Sequence, residues 1–509
     1  MLPPRIRPES ARSYKQGMTL LRSGRSAEAV EKMTQAVQED GNNYAAYAAL
    51  GRYHWRDRGD AKQSIDNYLR SIEIFGDNPP VLLDLAELMA LCAVPDVAKE
   101  LCDHTVRLVP NSPRLALIRS HIALSTGDHE AAEAELLKAV ETDPTDLEYM
   151  NCLAILYSTT GNREKGDEIF RYLLQKDPGN ESLTYNYGFF LTRFAPTIKG
   201  EVLLEYGFRC GSRKPNRRLQ ATRWRGDDLR GKSIIIWREQ GIGDHIRFAR
   251  LFSRLTDQAE RAILATPVKL MKLFERTFPN CEIVPDSISD DQLNQMKADF
   301  EVPAGSIWHY LPEAEGDVTG NPDIQRWQDE PYLRPDPDQV VKWKSLFRSR
   351  GRKIRVGISW TSGLRQQLAR ELAYATLKDF VPLLSMKDVD VVCLQYSDCR
   401  DEIAEVKEST GCEVLRFEDV DLFDDLDAAA ALTASLDAVV SVSNSVSDMA
   451  SALNIPTMVI GTYGTGGQPL GHEIWPYHHR KAYSRGVGET WGRVLERVCT
   501  DLSAHFDLA

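Results

Sequence analysis

No stretch of this sequence approaches the roughly 18 consecutive apolar residues that a membrane-crossing helix needs, so no membrane span is expected. The opening MLPPRIRPES lacks the apolar segment of a secretory signal, and the expected location is the cytoplasm. Excess positive charge is also missing: 62 Lys and Arg stand against 74 Asp and Glu, a net charge of −12. A chain of that sign is repelled by phosphate backbones and anionic lipid, which argues against nucleic acid as a partner. The nine cysteines include no C-x-x-C pair, and Cys92 and Cys393 sit inside apolar runs. That usage points to reduced, buried thiols and away from a disulfide frame or a zinc site. His478 and His479 belong to no zinc-binding spacing, and the acidic run EDVDLFDDLD (418–427) lacks the alternation of a calcium loop, so no metal is expected. What is present is an ordinary globular composition, 42% hydrophobic and 27% charged over 509 residues. That length suits about two to four domains.

The first third of the chain repeats. Gly24, Gly59, Gly127 and Gly161 are separated by 35, 68 and 34 residues, the middle interval being two periods with Val94-Pro95 in the gap. Gly76, Pro110, Pro144 and Pro178 keep the same step, each 34 residues from the last. Between the markers the pattern is helical, as in AAEAELLKAVETDP, with alanines where two helices must pack closely. A helix–turn–helix of this period ending in Asp-Pro resembles the tetratricopeptide repeat. Five units are expected over residues 8–178, with a further helix near 182–195. Residues 1–180 are thus read as an α-helical solenoid that recognises a partner protein, and 181–225 as a helical connector.

After residue 225 short apolar strands alternate with helical stretches: SIIIW, RAILA, CEIV, KIRVGISW, VDVVCLQ, CEVLRF, DAVVSVS and PTMVIG. That alternation predicts parallel sheets with crossover helices. The Pro-, Gly- and Asp-rich stretch Pro303–Pro337 divides them into two halves, 226–345 and 346–509. Ligands in such folds bind outside the carboxyl ends of the strands. GDDLRGKS (226–233) spells a Walker A motif, but its strand follows the Lys-Ser instead of preceding the glycines, so no helix N-terminus is there to hold a phosphate. SIIIWREQGIGDHIRF (233–248) has the correct order: strand, Gly241 and Gly243, then a helix opening on Asp244. Asp244 is either a helix cap or a carboxylate presented to a cleft. A third glycine and an acidic ribose partner are both lacking, which argues against a dinucleotide fingerprint.

WREQGIGDHIRFARL resembles the W-x-E-Q-G-x-G-D-x-I-x-F-A-R segment of bacterial tetratricopeptide-fused glycosyltransferases, whose catalytic part is similar to lipopolysaccharide heptosyltransferases. The likeness continues at VGISWTSG, at CLQYS and at AALTASLDAVVSVSNSVSDMASALNIPTMVIG, in order, over most of residues 220–485. It implies a GT-B fold, an α/β architecture of two Rossmann-like halves facing a cleft, with a nucleotide-sugar on the C-terminal half and the acceptor nearer the N-terminal half. It also implies inversion at the anomeric centre with no metal and no cofactor beyond the nucleotide-sugar. Asp244 is then the general base. The donor set carried over is Gly241, Gly243, Trp360, Thr361, Ser362, Arg365, Arg370, Gln395, Ser443, Asn444, Ser445 and Asp448. Ser443, Asn444 and Ser445 end a strand and open a helix, where they suit a diphosphate or a plain cap. Arg365 and Arg370 lie on a polar loop and suit the charge of a departing nucleoside diphosphate, or are simply solvated. Heptosyltransferase-like domains usually carry a histidine in place of Asp448 and often an aspartate in place of Ser443, which argues against an ADP-heptose donor. Enzymes resembling O-GlcNAc transferase carry an aspartate at the place of Asp448, where it accepts from ribose hydroxyls. GTYGTGG (461–467) is a turn placed to cover the donor sugar, and His245 supports the site without catalysing. The resulting expectation is a protein O-glycosyltransferase acting on Ser or Thr of an acceptor held by the repeats, with flagellin as the acceptor suggested by analogy. The alternatives are a transferase acting on a lipid-linked saccharide and a non-catalytic adaptor with a degenerate GT-B domain.

Overall fold

Asn43, Asp60, Asp128 and Asn162 each stand one residue before a helix and accept a hydrogen bond from the backbone N–H three residues on. These caps satisfy N–H groups that have no partner inside the helix and so fix where each helix begins. The computed structural model describes residues 3–23, 25–58, 60–92, 94–110, 112–194, 198–310, 330–362, 374–462, 479–485 and 489–508. Ten helices form five pairs: Pro8–Arg22 with Ser26–Glu39, Tyr44–Arg56 with Ala61–Ile74, Pro79–Leu91 with Pro95–Leu108, Pro113–Thr126 with His129–Thr142, and Leu147–Thr160 with Arg163–Lys176. They fall where the 34-residue period puts them, and an eleventh helix, Glu181–Phe194, follows. Ala29, Ala36, Ala46, Ala98, Ala132 and Ala139 are fully buried, which lets paired helices approach closely. A side chain on Gly51 would strike the Tyr68 ring at 2.7 Å. By proximity the chain forms two compact units divided at Leu156 and Tyr157, inside the ninth helix, and among the described residues all the strands lie in the second unit.

That second unit contains two five-stranded sheets, and every pairing between their strands is parallel. The first is built from β1 (Thr222–Arg223), β2 (Ser233–Trp237), β3 (Arg261–Thr266), β4 (Cys281–Pro285) and β5 (Phe300–Pro303), in the order β1-β5-β2-β3-β4. The second uses β6 (Ile354–Ser359), β7 (Val389–Cys393), β8 (Ala438–Val442), β9 (Thr457–Thr462) and β10 (Arg480–Arg485), in the order β10-β9-β8-β6-β7. The strand CEVLRF expected near 412–417 reduces to a single bridge, Val392 to Leu415. In the first sheet the order reverses beside β2, and in the second between β6 and β8. Crevices at such reversals are where open parallel sheets take ligands.

The two sheets do not have separate interiors throughout. Ile234 and Ile236 of β2 share one apolar cluster with Ile246, Phe252 and Phe274, and also with Leu426, Ala430, Met449 and Ala452 from the other half. Arg276 adds a two-point ion pair to Asp427 at 2.6 and 2.9 Å. The halves are therefore joined along the helices Ile242–Ala249 and Ser445–Ala452, next to the carboxyl ends of β2 and β8.

Candidate functional site

The turn after β2 is held from outside. Glu239 is fully buried and accepts both Arg213 guanidinium N–H bonds and the Gly305 N–H at 3.0 Å. Arg213 reaches on to Glu205 at 2.6 Å, and Glu205 in turn accepts from Ser306 at 2.6 Å. Gln240 takes the left-handed conformation at φ 58° and donates its N–H to the Lys214 carbonyl at 2.7 Å. Glu239 and Gln240 thus shape the turn and leave Gly241 as the residue preceding the helix Ile242–Ala249.

Asp244 sits in the first turn of that helix. Its Oδ2 accepts the Gly241 N–H at 3.2 Å and its Oδ1 accepts from Arg247 at 2.8 Å, with about a third of the side chain exposed. It therefore caps the helix and still faces solvent. His245 points the other way: it is fully buried, packs against Phe252 and Phe274, and lies 3.1 Å from the Thr266 hydroxyl. Burial, reinforced by the positive charge of Arg238, pushes it down to about 3, so the ring is neutral at physiological pH.

The second half offers the matching helix. β8 is buried along its length; Ser443 emerges exposed and Asn444 caps the helix Ser445–Ala452. The Asn444 carbonyl oxygen accepts from Val446 at 3.0 Å and Ser447 at 3.2 Å, while its amide donates to Ser359 at 2.9 Å and the Thr361 carbonyl at 3.3 Å. Gln395 works in the same manner on the end of β6: its oxygen takes the Ser359 hydroxyl at 3.0 Å and the N–H groups of Trp360 and Thr361 at 3.1 and 3.2 Å. Trp360 is buried against Phe380 and donates to Glu402 at 2.8 Å. Asn444, Gln395 and Trp360 thus have their polar side-chain groups engaged by the protein itself. All three stand beside the carboxyl ends of strands, where these bonds shape the loops. Ser443 is exposed, and Ser445, Thr361 and Ser362 are half-buried. Arg365 and Arg370 lie outside the described residues, as does most of the GTYGTGG turn.

Gly243 ties the two halves together. A Cβ there would come within 2.5 Å of the Asp448 Oδ2, 3.4 Å of the Ser445 Cα and 3.5 Å of the Ser445 nitrogen. The N-termini of the two helices abut, and a side chain at Gly243 would have to displace the Asp448 carboxylate. Asp448 lies at this junction in an ion pair with Arg480 at 2.6 Å, and Arg480 also approaches the Ser447 hydroxyl at 3.3 Å. Two helix N-termini and a buried guanidinium make a place that favours negative charge, and the Asp448 carboxylate occupies it. Arg480 escaped the sequence reading, because a single arginine opening a strand carries no spacing signal. Arg213, in the loop before β1, likewise carries no spacing signal.

A small cavity opens beside this junction, lined by Ile246, Tyr396, Leu426, Ser445, Val446 and Met449. It admits the centre of a water molecule over about 20 Å³, room for one or two waters and too little for a sugar or a base as it stands. Among the described residues no group of His, Cys, Asp or Glu is arranged to hold a metal ion, and no helix is long and apolar enough to cross a membrane.

Comparisons with known proteins bear on the repeats and on most of the chain. The tetratricopeptide repeat family matches residues 14–79 and 113–146. Protein FlbA of Caulobacter vibrioides is 28% identical over 429 residues, which cover 81% of this chain and 65% of FlbA. The chain thus spans less than two thirds of that curated relative. Among solved structures, a thermophilic tetratricopeptide repeat protein of Thermus thermophilus matches 36% of this chain and 98% of its own, at 21% identity and a TM-score of 0.33. A tetratricopeptide repeat protein of Parabacteroides merdae matches 40% of this chain and 87% of its own, at 17% identity and a TM-score of 0.30. The chain carries tetratricopeptide repeats in its N-terminal part, followed by a region of parallel sheets, and is similar to FlbA over most of its length.

Proposed function

We propose that this protein is a cytoplasmic protein O-glycosyltransferase of GT-B architecture. The repeats hold a protein acceptor, for which flagellin is the candidate by analogy, and the α/β region moves a sugar from a nucleotide-sugar to a Ser or Thr hydroxyl. The observation that carries this reading is the junction of the two helix N-termini at the reversal points of both sheets, with Asp244 on one side and Ser443, Ser445 and Asp448 on the other. In the reaction the acceptor oxygen attacks the anomeric carbon, the bond to the diphosphate breaks, and Asp244 takes the hydroxyl proton. On the sequence resemblance, Arg365 and Arg370 meet the charge left on the diphosphate. Inversion without a metal rests on the sequence resemblance.

Asp244→Asn keeps a capping oxygen, so the helix should survive. Sugar transfer should slow by about 10²–10⁴ while donor affinity holds. A well-folded variant that transfers at the wild-type rate would leave Asp244 as a cap and nothing more. A second reading, a non-catalytic adaptor, is favoured by the pairing of Asp448 with Arg480 and of Asp244 with Arg247, which leaves neither carboxylate free of a cation. A thermal-shift panel of nucleotide-sugars separates the two, since an adaptor gives no shift with any of them. Intact mass of flagellin co-expressed with the protein then reads the acceptor directly.

A further inference from the structure

Cys393 closes β7, and Cys399 stands directly before the helix Arg400–Thr410, so the two bracket the loop Leu394–Asp398. Both are buried, at 1% and 2% exposure, and their Sγ atoms lie 3.6 Å apart. A disulfide requires about 2.05 Å, so the two sulfurs must draw about 1.5 Å closer than they stand. Arg416 donates to the Cys399 Sγ at 3.0 Å. The geometry points to a redox modification site: a peroxide converts Cys393 and Cys399 into an intrachain disulfide that re-fastens the Leu394–Asp398 loop. Disulfides that form in a reducing compartment are typically of this sensing kind.

The hydrogen bond from the Cys399 thiol holds Cys393 below the ordinary thiol value, against the opposing effect of burial, and Cys399 is correspondingly raised. In this proposal Cys393 attacks as the thiolate, and Arg416 beside Cys399 favours loss of the second proton. Cys393 takes one peroxide oxygen to become a sulfenic acid, releasing hydroxide. The Cys399 sulfur, losing its proton beside Arg416, then displaces the sulfenic hydroxyl. The two thiols give up two electrons and two protons, and hydrogen peroxide leaves as two waters. The consequence falls on Gln395, two residues after Cys393, whose oxygen receives the N–H groups of Trp360 and Thr361 at the end of β6. Drawing the two sulfurs together moves both ends of the loop that carries this oxygen.

The test uses the full chain, hydrogen peroxide as the oxidant, and peptide mass mapping after alkylation of the remaining thiols. The expected result is a Cys393–Cys399 cross-link, reversed by dithiothreitol, that forms before the buried Cys92 and Cys102 react. Arg416→Gln should slow its formation roughly tenfold. Sulfinic acid on either cysteine without a cross-link, or no reaction until the other cysteines have oxidised, would overturn the site. Amide exchange at Trp360 and Thr361 should rise in the oxidised protein and stay unchanged in peroxide-treated Cys399→Ser. Unchanged exchange in the cross-linked wild type would overturn the coupling to β6. These readouts follow sulfur chemistry and backbone protection, so they stand or fall apart from sugar transfer.

Discussion

In the repeat helices the polar side chains act at short range, within a helical turn or out to about one repeat. Asn43, Asp60 and Asp128 cap their own helices, and Asp84 pairs with Arg52 and Arg114, which lie 32 and 30 residues off in the neighbouring repeats. In the α/β region the corresponding bonds run much further: Glu239 to Gly305 across 66 residues, Asn444 to Ser359 across 85, Arg276 to Asp427 across 151. An array held by near neighbours loses stability piece by piece. A site assembled from distant segments fails as a unit. The junction at Gly243 exists only when both sheets are in place.

The sharpest way to break this contrast is Arg213→Ala. It leaves Glu239 fully buried without its cation, and stranding a buried charge costs about 3–5 kcal/mol. Eight of the nine tryptophans lie beyond residue 180, so tryptophan fluorescence in urea reads the α/β region, while far-ultraviolet circular dichroism is weighted toward the repeats. The expected outcome is a fluorescence midpoint that falls well below a nearly unchanged dichroism midpoint. A joint fall of both would show that the two parts unfold together and would remove the contrast.

A pH titration comes next in size. His245 is held down to about 3, below its ordinary value of 6.5, by burial. The folded ring stays neutral while the unfolded one takes a proton below about 6.5. The stability it contributes is therefore complete above 6.5 and is lost as the pH falls toward 3. Between pH 7 and pH 5 this amounts to about 2 kcal/mol. In His245→Gln the fluorescence midpoint should be correspondingly less sensitive over that interval. An equal acid response in wild type and variant would mean that the imidazole titrates normally in the folded protein.

The contrast also sets what could be read from the sequence. The repeat boundaries were legible because the signals are local: a period, a cap, a run of alanines. β2, β3, β4, β6, β7, β8 and β9 were legible as apolar runs. β1, two residues long, was not, nor was the four-residue β5, nor β10, whose RKAYSR has no continuous apolar run. The turn at Gly241 and Gly243 was visible as a turn, but nothing local distinguishes the two glycines. Gly243 is required by Asp448 and Ser445, far along the chain. Trp360 and Gln395 were found as motif residues, yet their burial depends on Phe380, Glu402 and the end of β6, which no spacing reveals.

That difference between the glycines can be measured. Gly243→Ala drives a methyl into the Asp448 carboxylate, and the expected cost is about 1–2 kcal/mol because the end of that side chain can swing aside. The swing disturbs the pair with Arg480, and on the proposed function nucleotide-sugar binding should weaken with it. At Gly241 the nearest atom to an added Cβ is the Asp244 Oδ2 at 3.3 Å and φ is −76°, so alanine should be nearly neutral there. Equal effects at the two positions would mean that the helix ends do not abut in solution.

The smallest effect belongs to the array. Gly127 ends the helix Pro113–Thr126 in the left-handed conformation, φ 79°, with open space where a Cβ would be. Alanine there meets no neighbour, so the whole cost is conformational, about 1 kcal/mol for a side chain in that region. Asp128 caps the next helix through the Ala131 N–H, so the strain falls on a turn pinned from both sides and stays local. Amide exchange should speed up in the helices that flank the turn and stay unchanged at Trp237 and Trp360, which mark the α/β site. Faster exchange at those tryptophans would show that a repeat turn communicates with the strand ends, and an array of near neighbours would then be the wrong description of how this half of the protein holds together.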